Sequence, residues 1–384
     1  MRILVIHNQL WAHYKSKLFT EINISLKEIS PESDFSVIHI ALHEASRGTM
    51  QDQGNFRYDY PYKVLFNTSL DQVKFKERFF ALLKAFNEYK PSVLNITGYF
   101  DWAQVLLMIY AKRKGVKIVL SSESSSADNN RSKVKEAIKR WILSHADIFF
   151  CFGKSSADYL ISLGVKPMQI AVKNAAVVDE EMIRNSYDHA KQKAEQQKES
   201  FSIRKNFVFV GRLAPEKNLE RLIKAFSELQ SSEPAAQSWG LVFIGDGPLR
   251  ESLETQASES ANPDHIQFAG GYPWFKVPEW LAKSDILVLP SLSEPWGLVV
   301  NEAMVCGMPV IVSTKCGCAE DLLKDGVNGF SFNPESQDEL KSALLFFINH
   351  PDKIKTMGAQ SESLVRPFQS KSVAREMVKS YINL

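Results

Sequence analysis

The sequence predicts an α/β protein made of two doubly wound, parallel-sheet domains. Three observations carry that expectation. Short runs of branched and aromatic residues alternate with longer helical patterns along the whole chain. The short runs are unbroken rather than polar at every second position, as strands covered on both faces require. At 384 residues and 45% hydrophobic, the chain is large enough to bury two cores.

In the first half, strands are expected at ILVIH (3–7), FSVIHIAL (35–42), YKVLF (62–66), SVLNI (92–96), KIVLSS (117–122) and DIFFCFG (147–153), with helices over 69–89 and 102–115. These form an N-terminal domain over 1–180. The stretch 179–206 is polar and highly charged, with helical propensity but little apolar stripe, so 181–205 is expected as a charged, solvated helical linker or extension. The C-terminal domain, 206–365, repeats the plan. NFVFVGR (206–212) precedes a helix over 219–230, and LVFIGDGP (241–248) precedes one over 249–259. IQFAGG (266–271), DILVLPS (285–291), PVIVST (309–314) and GFSFNP (329–334) supply further strands, and 231–240 reads as a surface loop. The tail, 366–384, has a helical stripe and no strand after it. It is expected to pack back toward the N-terminal domain.

Composition narrows the function. A formal charge of +2 gives no case for a nucleic-acid partner. Cys151, Cys306, Cys316 and Cys318 stand at no ligand spacing for a metal and read as plain cytosolic thiols. MRILVIHNQLW opens directly on a strand rather than a signal peptide, and no run reaches the roughly 18 apolar residues of a membrane span. The expected location is the cytoplasm, with peripheral membrane contact open. The segment RSKVKEAIKRW (131–141) sets Val134, Ile138 and Trp141 on one side of a basic helix. It reads either as a solvated helix packed on a sheet or as contact with an anionic membrane surface.

The chemistry gathers at strand ends of the second domain, where parallel sheets bind ligands. VFVGRLAPEKN (208–218) leaves its strand with Gly211, Arg212, Glu216 and Lys217. VFIGDGP ends on Gly245, and LVLPSLSEPWG (287–297) is followed by Glu294 in the loop and Glu302 near the start of the next helix. Cations beside free helix-start N–H groups suit a diphosphate, and carboxylates suit the hydroxyl-rich remainder of such a ligand. Taken alone, Glu302 reads as a helix-start dipole partner and Lys217 as a surface lysine. The four together argue for a site. Gly245-Asp246-Gly247 lacks the third glycine of a dinucleotide fingerprint.

On VFVGRLAPEKNLERLIKAF, LVFIGDGPLRESLE, IQFAGG, LAKSDILVLPSLSEPWGLVVNEAMVCGMPVIVS and GVNGFSFNP, the chain resembles the retaining, nucleotide-sugar-dependent glycosyltransferases of family 4, or group 1. That family includes bacterial mannosyl- and glucosyltransferases of lipids and exopolysaccharides. The resemblance implies a GT-B fold, with two Rossmann-like domains facing across a cleft. It also implies transfer of a hexose-type sugar from UDP or GDP to a hydroxyl of a saccharide or lipid-linked saccharide, with retention and without a metal. Carried onto this sequence, Glu294 would hold the donor-sugar hydroxyls and Glu302 the ribose. Arg212 and Lys217 would clamp the diphosphate. Amides around Gly297, Leu298 and Val299 would hold phosphate and sugar, and Gly271 would lie near the base.

Two departures stand in the first domain. The loop HNQLWAHYKSKLF (7–19) has no glycine where many members have a glycine-rich loop, leaving Lys15 or Lys17 to supply charge. Ser122 and Glu123 stand where many members place a histidine, so Glu123 reads either as an acceptor-orienting base or as a helix cap. A catalytically silent nucleotide-sugar scaffold and a nucleotide-sugar epimerase are the rival readings.

Overall fold

The computed structural model describes residues 1–11, 13–44, 58–123, 133–196 and 205–384. The chain forms two compact units: Met1–Asp179 with Pro367–Leu384, and Glu180–Arg366.

Unit 1 begins with β1 (Arg2–Gln9), α1 (His13–Ile29), β2 (Asp34–Ala41), β3 (Tyr62–Val64), α2 (Phe75–Tyr89), β4 (Val93–Thr97) and α3 (Trp102–Arg113). It continues through β5 (Lys117–Ser122), α4 (Lys133–Leu143), β6 (Ile148–Cys151), α5 (Lys154–Ser162) and β7 (Ile170–Val172). The strands form one sheet in the order β3-β2-β1-β4-β5-β6-β7. β1 pairs in parallel with both β2 and β4, Ile3 facing Phe35 on one side and Val93 on the other. Ile3 to Ile6 are buried, which is why this run carries no polar alternation.

The expected helix over 69–89 starts later. Val73 and Lys74 are extended, and the Arg78 guanidinium donates to the carbonyls of Leu70 (3.0 Å) and Val73 (2.8 Å), fixing a bend ahead of α2. β7 was not expected, because a three-residue edge strand is too short to carry a periodic signal.

Unit 2 opens with α6 (Glu180–Gln196), β8 (Lys205–Val210), α7 (Leu219–Ser232), β9 (Trp239–Ile244), α8 (Arg250–Ser258), β10 (Ile266–Gly270) and α9 (Val277–Leu281). It continues with β11 (Ile286–Leu289), α10 (Leu298–Val305), β12 (Val310–Ser313), α11 (Ala319–Leu322), β13 (Gly329–Phe332), α12 (Gln337–Asn349) and α13 (Lys353–Val365). Its sheet runs β10-β9-β8-β11-β12-β13. Last in the chain, α14 (Ser370–Ile382) packs on α1 and β7 in unit 1.

Two expectations are corrected here. Of the two alternatives for 181–205, α6 is the extension and not a linker, and it is not solvated throughout: it opens unit 2, Ile183 and Tyr187, one turn apart, are buried, and the helix packs on α9 and α10. Arg184 adds an ion pair to Glu362 of α13 at 2.5 Å. A two-residue apolar anchor among so many charges is a weak stripe in sequence. Residues 197–204 of that expected linker lie outside the described residues. The second correction concerns the loop at 231–240. Its end is core: Trp239 is buried, stacks on Phe207 at 4.6 Å and starts β9.

Candidate functional site

In unit 2 the chain order of strands reverses between β8 and β11, and the carboxyl ends at such a switch point form the usual crevice of an open α/β sheet. Arg212 and Lys217 follow β8, and Glu294 follows β11. The loops carrying them are tied by backbone bonds. Leu292 N–H donates to the Glu216 carbonyl at 2.8 Å, and the Asn218 side chain donates to the carbonyls of Pro290 and Pro334. Asn218 takes a left-handed φ of 58°, a conformation asparagine tolerates, and so turns the loop into α7.

The Glu294 loop is pinned from its other side. Gly317 N–H donates to the Glu294 carbonyl at 2.9 Å, and Cys318 N–H to that of Trp296 at 3.1 Å. The buried Trp296 indole N–H donates to Asn301 Oδ1 at 2.8 Å, fastening the loop to α10. A Cβ on Gly317 would sit 2.0 Å from the Pro295 carbonyl, so this close approach needs glycine. No individual role was read from sequence for Asn218, Trp296, Asn301 or Gly317: Asn218 and Gly317 act through partners far along the chain, and Trp296 and Asn301 act through each other.

On this frame Lys217 is ion-paired with Glu294. Both side chains are largely shielded, at 15% and 17% exposure, whereas Arg212 is 67% exposed and pairs with Glu216 at 2.6 Å. The Arg212 guanidinium holds the Glu216 carboxyl below its ordinary range. Lys217 and the loop carboxylate Glu294 are thus brought together, while Arg212 is engaged by Glu216 of the same loop.

Glu302 lies in the second turn of α10 rather than at its start, so the first-turn dipole role does not apply. It is partly buried, and burial alone pushes its carboxyl up to about 7. No hydrogen bond or ion pair engages that carboxyl among the described residues. The first-turn N–H groups at Leu298 and Val299 have no intrahelical acceptor.

The glycines divide by role. Gly297, before α10, has φ of +97°, which a side chain rarely adopts. Gly245 is a packing requirement, since a Cβ there would lie 1.9 Å from the Gly211 carbonyl at the tip of the neighbouring strand. Gly271 lies just beyond β10, where only the Asp246 side chain would touch a Cβ. Cys316 and Cys318 are buried thiols below this loop, and burial pushes Cys316 up to about 12.

In unit 1, Lys15 is buried and its ammonium pairs with Glu123 at 2.8 Å, at the end of β5. The same ammonium sits 4.5 Å from the Phe152 ring centre. Lys17 instead pairs with Glu21 along α1 at 3.1 Å. Asp101, which closes β4 with Tyr99 and Phe100, caps α3 by accepting from Ala103 N–H and pairs with Arg78. Residues 124–132, on which part of the Glu123 reading and the start of the basic helix fall, lie outside the described residues.

The family model described as "Glycosyl transferases group 1" matches residues 190–363, the segment that carries Arg212, Lys217, Glu294 and Glu302. That segment is a group 1 glycosyltransferase domain. Curated relatives agree. The chain is 26% identical over 245 residues to an uncharacterized glycosyltransferase of Methanocaldococcus jannaschii, covering 62% of each. It is 30% identical over 158 residues to a GDP-mannose-dependent phosphatidylinositol monomannoside mannosyltransferase of Mycolicibacterium smegmatis, covering 39% of this chain and 40% of that one. The chain therefore spans 62% of the length of the first of these relatives and 40% of the second, less than two thirds of either. Among solved structures, HepE of Anabaena in complex with UDP superposes with a TM-score of 0.76 over 100% of both chains, at 19% identity. The fold is GT-B, with one parallel-sheet α/β unit preceding the group 1 domain and a second formed by it.

Proposed function

We propose that the chain is a retaining glycosyltransferase that moves a hexose-type sugar from UDP or GDP to a hydroxyl of a saccharide or lipid-linked saccharide. The observation that carries this reading is the group 1 domain's strand-end cluster. Lys217 is paired to Glu294 and Arg212, in the same loop as Lys217, to Glu216, while the Glu302 carboxyl on the next helix is partly buried without a partner among the described residues. A donor with a diphosphate, a sugar and a ribose offers each of these groups a complementary atom. Two relatives bring the two bases into view: HepE, solved with UDP, and the GDP-mannose-dependent mannosyltransferase.

In this reading Arg212 and Lys217 neutralise the diphosphate as the bond from the anomeric carbon to the β-phosphate oxygen breaks. The acceptor oxygen bonds to the same face of that carbon, and its proton passes to the departing phosphate oxygen. Each preorganised cation aimed at that developing charge is worth roughly a hundredfold in rate. Glu294, steadied by Lys217, accepts from donor-sugar hydroxyls, and Glu302 accepts from the ribose. The Leu298 and Val299 amides face the phosphate, and the turn at Gly271 faces the base. Glu123, held by the buried Lys15, orients the acceptor. With two side-chain cations at the leaving group, the reaction proceeds without a divalent metal.

The test is equilibrium titration of the purified protein with UDP, GDP, ADP and their hexose conjugates, in EDTA and then in magnesium. Micromolar binding of one diphosphate in EDTA is expected, weakened about 10- to 100-fold by Arg212→Ala and by Lys217→Ala. Turnover with the matching sugar conjugate should give an α-linked product by NMR. Absence of any nucleotide binding would overturn the reading in favour of a different ligand class.

A further inference from the structure

Unit 1 carries an exposed apolar surface that neither its core nor the proposed reaction uses. On α4, Val134 is 68% exposed and Trp141 49%, with Ile138 exposed between them. Phe100, 64% exposed, together with the exposed Trp102 and Leu106, extends this surface from the start of α3. Trp102, Val134, Ile138 and Trp141 line one open groove. The buried apolar residues of the helix are Ile142 and Leu143 at its end, and its preceding turns present their apolar side outward. A contiguous patch of large apolar side chains on a water-facing surface marks an interaction site.

Its charge pattern says what kind. Positions 134, 138 and 141 form one stripe at helical spacing. Lys135 and Lys139 fall on one flank of that stripe and Arg140 on the other. The only acid of α4, Glu136, lies away from the stripe and pairs with Arg140 at 3.9 Å. The Lys139 ammonium donates to the Tyr159 hydroxyl at 2.6 Å and lies 5.8 Å from the Phe100 ring centre, with no carboxylate partner among the described residues. Tryptophans whose rings are apolar and whose N–H is polar, flanked by cations on long stems, match the boundary between acyl chains and headgroups. A second copy fits poorly, because a self-complementary contact would bring these cations against their own kind.

We propose that this face of unit 1 docks on an anionic lipid surface through α4 and the start of α3. The apolar stripe enters the acyl boundary and the flanking cations meet the lipid phosphates. The inference rests on the surface alone and stands apart from the donor site.

Flotation of the full-length protein with vesicles tests it. One set is phosphatidylcholine alone, and the other is equal parts phosphatidylcholine and phosphatidylglycerol. The protein is expected to float with the anionic set only, and less as salt rises. Val134→Glu, at a largely exposed position, should abolish flotation, as should Trp141→Glu. Lys135→Ala should weaken it roughly fivefold and Lys135→Arg restore it. Met168→Glu, at another exposed apolar position of unit 1, should float as the parent does, and circular dichroism should show each variant folded. Failure to float, equal flotation on both sets, or variants that float unchanged would each overturn the proposal. So would a concentration-dependent dimer dispersed by Trp141→Glu in a protein that does not float, which would assign the face to a second copy.

Discussion

At Glu302, stability and binding pull in opposite directions. Burial raises its carboxyl from the ordinary 4.5 to about 7, so the folded chain holds a proton that the unfolded chain has released. A raised carboxyl costs stability as pH climbs from about 4.5 to about 7, and the cost is then constant. Glu302→Gln removes a charge that the fold pays to bury. The variant should therefore unfold at a higher urea midpoint than the parent at pH near 8, with the gap closing toward pH 5. The same variant should bind the nucleotide about tenfold more weakly, because a neutral amide loses a charge-assisted contact. A midpoint unchanged at the higher pH would mean that the ionised carboxyl has a partner in solution. The residue types of this site were legible in sequence, since glutamates and cations at strand ends stand out against apolar runs. The pairing of Lys217 with Glu294 was not, because the two lie 77 residues apart and meet only once β8 and β11 are neighbours.

At the scale of elements, the join from β11 to α10 sets where Glu294 and Glu302 stand. Gly297 makes that join at φ +97°, and a Cβ there would also lie 2.7 Å from Leu289 Cδ2. Gly297→Ala should destabilise the protein by about 1–3 kcal/mol and weaken nucleotide binding with it, measured by urea unfolding and titration. Binding lost without destabilisation would instead mean that the glycine serves the ligand alone. Elements announced by long unbroken runs, such as β1 and β9, were legible because burial on both faces leaves no polar interruption. The rest were hidden where tertiary contact overrides local pattern. β7 is three residues long, and α6 is held by Ile183 and Tyr187 inside a charged sequence. Arg78 bends the chain ahead of α2 through carbonyls that a periodic pattern does not display.

At the scale of the whole molecule, the two units differ in how the chain closes them. Unit 2 is one continuous stretch, Glu180–Arg366, with its own sheet and a core that includes Phe207, Phe226 and Trp239. Unit 1 is discontinuous and needs the end of the chain. The Asn95 amide donates to the buried Tyr381 hydroxyl at 2.6 Å, Tyr381 packs on Phe150, and α14 lies along α1. Every residue proposed to touch the donor sits in the continuous unit. Residues 180–366 expressed alone should therefore fold cooperatively and bind the nucleotide within a few-fold of the full chain. Residues 1–366, lacking α14, should lose the unfolding transition of unit 1 and keep that of unit 2, as followed by calorimetry. Nucleotide binding that vanishes from a folded 180–366 fragment would show that unit 1 supplies donor contacts, and would move Lys15 from the acceptor side to the diphosphate.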